Sequence, residues 1–484
     1  MSILLTLIAP LGLLIWIVYR GWPVLLAAPA MALLAAGMAA DPLFATLTQR
    51  FMPAAGGFVV SFLPLFLLGA VFGKLMEDTG AAMALARAIV DRLGTGRAIS
   101  AVVLSCAALT YGGVSLFVVA FAVYPLATAL FSAAGIAHRL IPAAIALGAF
   151  TFTMSALPGS PAIQNAIPMP YFGTTVFAAP GLGLIAGAIM LVGGLTYLGH
   201  KARVVNPDLA AQLADGSVAH DPPLPPLWCA TLPILTVFVA NWCLAQIVLP
   251  RLDLGYLASS EWGDATPSQV IGLWALIGAL TGAIVVLLVF TWTRLDQPRE
   301  TLNQGAQAAL LPLFNTAALV GFGAVVAGLP AFGIVTDLTA DMAGSMLTGL
   351  AVQASLLAGL TGSASGGMSI ALDTLGPRYL EAALAEGVDP AALHRIVALA
   401  TGGLDALPHN GAVVTLLGIV KPDPQRGVWP DLYGRRGHPN HRFARGAVPI
   451  TMDRGILGPE PQDITWKTGP AAWPRSKAPA WRRR

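Results

Sequence analysis

Residues 155–168 read Ser155-Ala156-Leu157-Pro158-Gly159-Ser160-Pro161-Ala162-Ile163-Gln164-Asn165-Ala166-Ile167-Pro168, with four helix-breaking residues and two amides among small side chains, and no charge. Proline removes a backbone donor and glycine relaxes the backbone, so a regular helix is not expected here. Apolar runs flank the stretch, which places it at membrane depth. We predict that its unwound backbone surrounds a hydroxylated ligand, with contacts from Ser155, Ser160, Gln164 and Asn165. A structural turn at the membrane surface is the alternative interpretation.

Features of this region recur near the C-terminus. Its block opens with His138-Arg139-Leu140 and reaches Ala156-Leu157-Pro158, and a later block opens with His394-Arg395-Ile396 and reaches Ala406-Leu407-Pro408. Ahead of each block stands a glycine-broken segment, Thr110-Tyr111-Gly112-Gly113-Val114-Ser115 and Thr361-Gly362-Ser363-Ala364-Ser365-Gly366-Gly367. A repeated order of this kind is typical of an internal duplication, so we predict two related halves.

The glycine-broken segments occupy matching positions in the two halves, which is the pattern expected around the central binding site of a secondary transporter. Freed helix N-termini suit a carboxylate, and exposed carbonyl groups suit a cation. The substrate contacts predicted in these segments are Tyr111, Gly112, Gly113, Ser115, Thr361, Ser363 and Ser365. The alternative is that the glycines only let neighbouring helices pack closely.

Coupling residues are predicted around Pro408, where Asp405, His409 and Asn410 lie in an apolar block. An ionisable residue within a membrane segment is by default a functional candidate. Asp405 is our candidate for the coupling carboxylate, protonated or sodium-bound in turn, and His409 is our candidate for a proton relay near neutral pH. The alternative is an Asp-His pair that caps a broken helix.

For four other polar residues the sequence is compatible with either a functional or a purely structural role. Asp373 lies beyond the second glycine-broken segment, Lys74 and Glu77 follow the third apolar block, and Asn315 lies within an apolar block. Ordinary surface or interface positions are the alternative for the three charged residues. Asn315 is compatible with either an interhelical hydrogen bond or a ligand contact.

Composition assigns the chain to a membrane. Of its 484 residues 56% are hydrophobic and 11% are charged, and the mean hydropathy is +0.73, whereas soluble domains carry about a quarter charged residues. The net charge of +3 is scattered and forms no basic face, which argues against nucleic acid binding. Three cysteines lack metal-ligand or redox spacing and are predicted to be small core residues, namely Cys106, Cys229 and Cys243.

About eleven apolar blocks are of a size suited to membrane helices. They lie at 3–19, 23–40, 57–72, 98–130, 140–157, 181–198, 228–249, 270–291, 306–332, 346–370 and 396–420. The block from Ala98 is too long for one crossing and has glycines in its middle, so it forms two crossings or a helix with a re-entrant break. The first block has no cleavage site and is expected to remain as the first membrane helix.

Charge asymmetry predicts the orientation of the helices. Loops rich in lysine and arginine are expected in the cytoplasm, and the residues concerned are Arg20, Lys74, Arg87, Arg92, Arg97, Lys201, Arg203, Arg294 and Arg299. The opposite loops lean acidic, so the first helix is predicted to run from outside to inside. The polar, Pro-rich residues 204–227 form a cytoplasmic linker between an N-terminal repeat, 1–203, and a C-terminal repeat, 228–420.

Residues 421–484 differ abruptly from the rest, because Pro, Arg, Gly, Trp and Asp dominate and hydrophobic periodicity vanishes. One synonymous codon spelling of residues 421–442, read one base later from the Pro422 codon, encodes LTHSEAYGPTFMVAAVIPII, a short polar loop followed by an apolar helix. We hypothesise that a single-base insertion replaced a final membrane helix with this aberrant tail. The alternative is a natural cytoplasmic tail that binds a partner or anionic lipid through Arg482, Arg483 and Arg484.

Four runs of the sequence are long enough to compare with known families, namely 110–127 (TYGGVSLFVVAFAVYPLA), 150–173 (FTFTMSALPGSPAIQNAIPMPYFG), TGSASGG from Thr361 and LDALPHNGAV from Leu404. In these runs the chain resembles the gluconate permease (GntP) family of the ion transporter superfamily. The resemblance implies an all-α integral membrane protein of about 11 to 13 transmembrane helices, in two halves related as inverted repeats with broken or re-entrant helices at the midplane. It also implies symport of an organic anion with protons, in the bacterial inner membrane.

The family's gluconate carriers have an acidic residue in the first broken segment and histidines before the Pro-Gly turn. This chain has Tyr111-Gly112-Gly113 and Thr153-Met154-Ser155 there. A shorter hydroxy acid such as 3-hydroxybutyrate is therefore expected alongside a gluconate-like sugar acid.

We expect a secondary active transporter that imports a small hydroxylated monocarboxylate by proton symport, without a cofactor or metal. Its partners are the organic acid and membrane lipid, and both a monomer and a homodimer are compatible with the sequence. Sodium coupling is the alternative. An intramembrane enzyme is disfavoured because the chain lacks HExxH and GxSxG motifs. A channel would need neither duplicated broken helices nor a titratable coupling group.

Overall fold

The computed structural model describes residues 5–114, 116–203, 224–334, 345–361, 363–404 and 416, and all regular structure in these residues is helical. The main helices of the first half are α1 (Leu5–Tyr19), α2 (Val24–Ala39), α3 (Leu43–Thr46), α4 (Met52–Asp78), α5 (Ala81–Leu93), α6 (Ala98–Tyr111), α7 (Leu116–Ala133), α8 (Ile141–Phe150), α9 (Ile163–Ala166), α10 (Pro168–Phe172) and α11 (Pro180–Arg203). Those of the second half are α12 (Leu227–Cys243), α13 (Pro267–Thr291), α14 (Pro298–Ala327), α15 (Met346–Thr361), α16 (Ala364–Glu386) and α17 (Pro390–Leu404). The predicted all-α class is confirmed.

Six helical stretches of the described residues are long and apolar enough to cross a bilayer, namely Leu43–Asp78, His138–Ala156, Pro180–Ala202, Leu227–Arg251, Pro267–Arg294 and Pro298–Ala327. A seventh is added if Ala81–Leu93 and Thr95–Tyr111, which meet at 101°, form one bent span. Shorter apolar helices are Leu5–Val18, Val24–Ala39, Val118–Ala133 and Met346–Gly359. These stretches account for the predicted apolar blocks, except for 396–420, most of which lies outside the described residues.

Helices α4 and α14 form a central antiparallel pair that joins the two halves. Gly305, early in α14, packs against Val71 late in α4, and a Cβ there would lie 2.9 Å from the Val71 Cα. Gly321, late in α14, packs against Phe51 just before α4, and a Cβ on Gly321 would lie 2.9 Å from the Phe51 carbonyl oxygen. Glycine at both crossings lets the two backbones approach closely, as small residues do between membrane helices.

The first predicted break separates α6 from α7. Gly113 adopts a φ of +93°, which glycine tolerates and other residues rarely adopt. A Cβ on Gly113 would lie 2.9 Å from the Pro161 Cγ, so this break packs directly on the unwound stretch predicted from the sequence. The predicted interruption within residues 98–130 is confirmed.

The second predicted break separates α15 from α16. The Ser363 hydroxyl accepts a hydrogen bond of 3.1 Å from the Gly366 N–H and so caps the start of α16. A Cβ on Gly367 would lie 2.3 Å from the Ala358 backbone. The chain therefore folds back on itself here, because two backbones can meet at this distance only through glycine.

A third interruption follows α8, in the region rich in proline and glycine around Pro158. The helix ends at Phe150, Thr151 has φ −100° and ψ −105°, and residues 152–156 form one π-helical turn. Residues 157–162 are not helical, and the chain then resumes in the short helices α9 and α10. The prediction of an unwound stretch at 155–168 is confirmed at its centre, while 163–166 and 168–172 are helical.

The two sequence halves are interlocked in the described part of the fold. Residues of α1 and α2 share one buried apolar cluster with Phe322 and Val325 of α14. Each half contains a long helix, a broken pair and a further block in the same order. The duplication and the inverted relation of the two repeats stay predictions.

Candidate functional site

A cavity of about 360 Å³ lies where the first break, the unwound stretch, α4 and α14 meet. Its lining comprises Leu65, Phe66, Gly69, Ala70, Lys74, Glu77, Thr110, Gly113, Val114, Val118, Met154, Pro161, Ala162, Ile163, Ala308, Ala309 and Pro312. Both halves contribute to the walls, and most of the walls are apolar. The volume suits a small organic molecule, because ligand pockets start at about 300 Å³.

A few polar groups are available at this cavity. Thr110 is 5% exposed, and its buried hydroxyl has no hydrogen-bond partner among the described residues. Pro312 lacks an N–H, so the Ala308 carbonyl on the cavity wall loses its usual helical donor. Asn315 follows on the same face of α14, and its buried Oδ1 is also unpartnered within the described chain. Of these residues, Thr110 and Ala308 line the cavity, whereas Asn315 is not a lining residue.

Charged side chains lie where α4 ends. The Lys74 ammonium is 2.8 Å from the Asp78 carboxylate and 3.5 Å from the Glu77 carboxylate. Thr301, in the first turn of α14, donates to Asp78 at 2.7 Å. Lys74 is thus already paired with two acids, and the group as a whole carries a net negative charge.

The unwound stretch is held by hydrogen bonds within the first half. Tyr111 donates from its hydroxyl to the Pro158 carbonyl at 2.7 Å. The Asn165 amide donates to the carbonyls of Leu157 and Ser160 at 3.2 and 3.1 Å. Tyr111 and Asn165 therefore shape the cavity wall, because their donors are already used by protein carbonyls.

Arg395 of α17, in the second half of the chain, donates hydrogen bonds to the same stretch and to the residues that follow it. Its guanidinium donates to the Ala178 carbonyl at 3.2 and 3.0 Å and to the Val176 carbonyl at 3.2 Å. It also donates to the Asn165 Oδ1 at 2.8 Å and to the Ser155 carbonyl at 3.4 Å. One side chain thereby ties the residues before and after α9 and α10 to α17.

Two neighbouring contacts also join the halves. The Thr174 hydroxyl lies 2.7 Å from Nδ1 of His394, and the Tyr171 hydroxyl donates to the Asp373 carboxylate. Asp373 is exposed, as the surface alternative expected, and it also contacts the first half of the chain. Asp373 lies within α16.

The predicted substrate residues have different surroundings in the structure. Gly113 lines the cavity, and the Gln164 Oε1 is buried without a described partner. Other hydroxyls bond to nearby protein groups, with Ser155 donating to the Thr151 carbonyl at 3.0 Å and Ser363 Oγ 3.3 Å from Ser365 Oγ. Ser160 accepts from the Ala162 N–H at 3.3 Å. Gly112 packs against Ile234.

The coupling candidates Asp405, His409 and Asn410, together with Ser115, lie outside the described residues. Thr361 is the last residue of α15, and its side chain is also outside the description. Their roles stay predictions. Cys106 and Cys229 are buried, as expected, and Cys243 is partly buried.

Sequence reasoning missed Arg395 and Thr110. The signal for Arg395 was present in the His394-Arg395 pair, because a basic pair that opens an apolar block must either reach the surface or be buried with partners. Thr110 opens the first glycine-broken segment, but its own hydroxyl was not predicted to contact a ligand. No residue pattern distinguishes a buried hydroxyl without a partner from one that bonds to its own helix.

A family model described as "GntP family permease" matches residues 1–326. The uncharacterized transporter YxjC of Bacillus subtilis is 41% identical over 439 residues, a match that covers 87% of this chain and 92% of that protein. Among solved structures, the YdaH transporter of Alcanivorax borkumensis matches with a TM-score of 0.50 at 17% identity. This structural match covers 78% of this chain and 83% of that chain, and it supports the fold alone.

Proposed function

The chain belongs to the GntP family of permeases, and we propose that it imports a small hydroxylated monocarboxylate by proton symport across the bacterial inner membrane. The observation that supports this proposal best is the cavity between the first break, the unwound stretch, α4 and α14. Interrupted helices meeting at a cavity are the arrangement that secondary transporters use for substrate sites.

The chemistry of the cavity favours a short hydroxy acid. Its walls are mainly apolar, and its available polar groups include the Thr110 hydroxyl and the Ala308 carbonyl. A polyhydroxylated sugar acid would bury several hydroxyls, and each one without a partner is costly. We therefore place 3-hydroxybutyrate ahead of gluconate as the substrate, with both in the same chemical class.

Proton coupling is assigned to Asp405 and His409, with Asn410 beside them. The assignment is supported by the position of these residues in the sequence, directly after Leu404, the last residue of α17. A carboxylate in a broken membrane helix can be protonated on one side and deprotonated on the other. Sodium coupling is the alternative, with freed carbonyl groups as ligands.

Uptake into proteoliposomes tests the proposal. Labelled 3-hydroxybutyrate, gluconate and lactate are offered under an imposed pH gradient and, separately, under a sodium gradient. The 484-residue chain and a version read in the shifted frame after Lys421 are compared. We expect one of these acids to accumulate under the pH gradient, and accumulation of none of them under either gradient would refute the proposed substrate class.

Coupling is tested in the same vesicles with Asp405→Asn and a matched control, Asp389→Asn. The exposed Asp389 carboxylate accepts from the Ala391 N–H at 2.8 Å, and asparagine can make the same bond. We expect Asp405→Asn to abolish gradient-driven accumulation and Asp389→Asn to retain it. Equal accumulation by the two variants would mean that Asp405 is not the coupling residue.

The tail is part of the proposal, because a missing final helix would impair transport. Resequencing the gene across the codons for residues 421–442 tests the single-base insertion directly. We expect the shifted frame to encode an apolar helix. If no frame encodes such a helix, the tail is natural, and binding of the full chain to vesicles with anionic lipid becomes the relevant measurement.

A further inference from the structure

Arg395 is the largest fully buried side chain in the described part of the chain, with 0% exposure. A charge buried within a membrane protein is costly to keep and usually has a function. No ion pair joins Arg395 to a carboxylate of the described residues. Its hydrogen-bond partners within the described part of the chain are all uncharged.

The hydrogen bonds of Arg395 exclude direct contact with a ligand. A guanidinium has five N–H donors. All five are directed at protein acceptors, namely the carbonyls of Ser155, Val176 and Ala178 and the Asn165 Oδ1. The donors are used up, whereas the charge is not neutralised, because each of these acceptors is uncharged.

The guanidinium lies directly behind the cavity wall. Met154 and Ile163 line the cavity, and the adjacent Ser155 carbonyl and nearby Asn165 amide bind Arg395. Two residues of chain span at most about 7 Å, so the charge is within about 10 Å of the cavity lining. In surroundings of low polarity a charge acts over this distance with little screening.

Two charged residues, Lys74 and Glu77, line the cavity directly. Lys74, Glu77 and Asp78 leave one negative charge there, and their side chains are 22%, 37% and 28% exposed. Exposed charges are screened by water and salt. The fully buried Arg395 is not screened in this way.

We propose that Arg395 is the fixed counter-charge for the transported anion, acting through the cavity wall and not by contact. This rests on the proposed function of the cavity. A single positive charge balances one carboxylate, so Arg395 makes the site selective for monocarboxylates over neutral analogues and over dicarboxylates. Arg395 is also a positioning residue, because its five hydrogen bonds hold the cavity wall through which its charge acts.

The test separates charge from shape. Proteoliposomes take up labelled 3-hydroxybutyrate in the presence of unlabelled 3-hydroxybutyrate or its uncharged methyl ester, and both inhibition constants are measured. Variants are Arg395→Gln, which removes the charge, and Arg395→Lys, which keeps the charge with fewer hydrogen bonds. Arg139→Gln is the matched control, because Arg139 occupies the equivalent pair and is exposed.

We expect Arg395→Gln to raise the inhibition constant of the acid about ten-fold and to change that of the ester less than about two-fold, with no change in Arg139→Gln. Arg395→Lys should stay close to the unmodified chain for the acid, although its maximal rate falls. A loss of affinity for acid and ester alike in Arg395→Gln would show a purely structural role and overturn the assignment.

A second variant covers the case in which Arg395→Gln does not fold. Asn165→Asp places a carboxylate on the guanidinium and so neutralises its charge without removing Arg395. The variant also loses the amide donor to the Leu157 and Ser160 carbonyls, and affinity for the uncharged ester measures that loss. We expect the same preferential loss of affinity for the acid. Unchanged acid affinity would overturn the assignment alone. No uptake of any acid by either the 484-residue chain or the version read in the shifted frame would overturn the proposed function and the assignment with it.

Discussion

Two His-Arg pairs open matching blocks of the chain and have opposite surroundings. His138 and Arg139 lie in a short 3-10 turn before α8, where the His138 Nε2 is 2.7 Å from the Ser132 hydroxyl and Arg139 is exposed. His394 and Arg395 lie within α17 and are both 0% exposed. The same two residue types therefore lie in a surface turn in one half and are buried with hydrogen-bond partners in the other.

The difference shows that the two halves contribute different parts of the cavity wall. The first half supplies the unwound wall, and the second half supplies the cation that holds it. His394 and Arg395 reach the segment from Ser155 to Ala178, whereas the described contacts of His138 stay within the first half. The same order of elements in the two halves therefore does not give matching residues the same role.

The largest contrast is expected between Arg395→Gln and Arg139→Gln. Removing Arg395 leaves several buried carbonyls unpaired, so we expect a loss of about 3 to 5 kcal/mol in the free energy of unfolding. For the exposed Arg139 we expect a change within about 0.5 kcal/mol. Unfolding in mixed detergent micelles is followed by the reaction of the buried Cys106 thiol with a dye. Equal losses would mean that both pairs are structurally equivalent.

His394→Ala compared with His138→Ala should give the next largest contrast. Truncation of the fully buried His394 leaves a cavity and an unpaired Thr174 hydroxyl, so we expect a loss of about 2 to 3 kcal/mol. His138 is half-buried, and its partner Ser132 also donates to the Thr128 carbonyl at 2.9 Å. A loss of about 1 kcal/mol is expected there. The same thiol assay measures both variants, and a reversed order would contradict the comparison.

Two adjacent glycines on α17 test the contact between this helix and the unwound stretch. A Cβ on Gly402 would lie 2.9 Å from the Ser155 hydroxyl, whereas no atom of the described residues lies within 4 Å of a Cβ on Gly403. We expect Gly402→Ala to cost about 1 to 2 kcal/mol and Gly403→Ala to stabilise by about 0.5 kcal/mol, as alanine does in a helix. Thermal unfolding of the two purified variants gives the answer, and a harmless Gly402→Ala would place α17 further from the wall.

The smallest effect on stability is expected at the wall itself. The Thr110 hydroxyl has no described partner, so Thr110→Val should change stability by less than about 0.5 kcal/mol. Because Thr110 lines the cavity, we expect the KM for uptake of the transported acid to rise about three- to ten-fold.

Thr153→Val is the matched control for this change. Its buried hydroxyl donates to the Gly148 carbonyl at 2.7 Å, so its removal should cost about 1 kcal/mol of stability. If Thr110→Val leaves KM unchanged, the hydroxyl does not contact the substrate.

Much of the fold was predictable because its signals are local. The breaks at Gly113 and Ser363 follow from glycine and serine in apolar runs, and the unwinding near Pro158 follows from clustered proline and glycine. The direction of side chains in the unwound stretch was not predictable, since no helical or strand period applies there. Asn165 was expected to face a ligand, and its amide instead joins Leu157 and Ser160 to Arg395.

Local properties of the sequence were enough to establish a helical membrane protein with interrupted spans, because hydropathy and backbone restriction act over a few residues. The role of Arg395 could emerge only in three dimensions. Its acceptors lie up to 240 positions away, and a guanidinium can be buried only where the fold assembles enough of them around it. That assembly made one of two similar His-Arg pairs the clamp of the cavity wall.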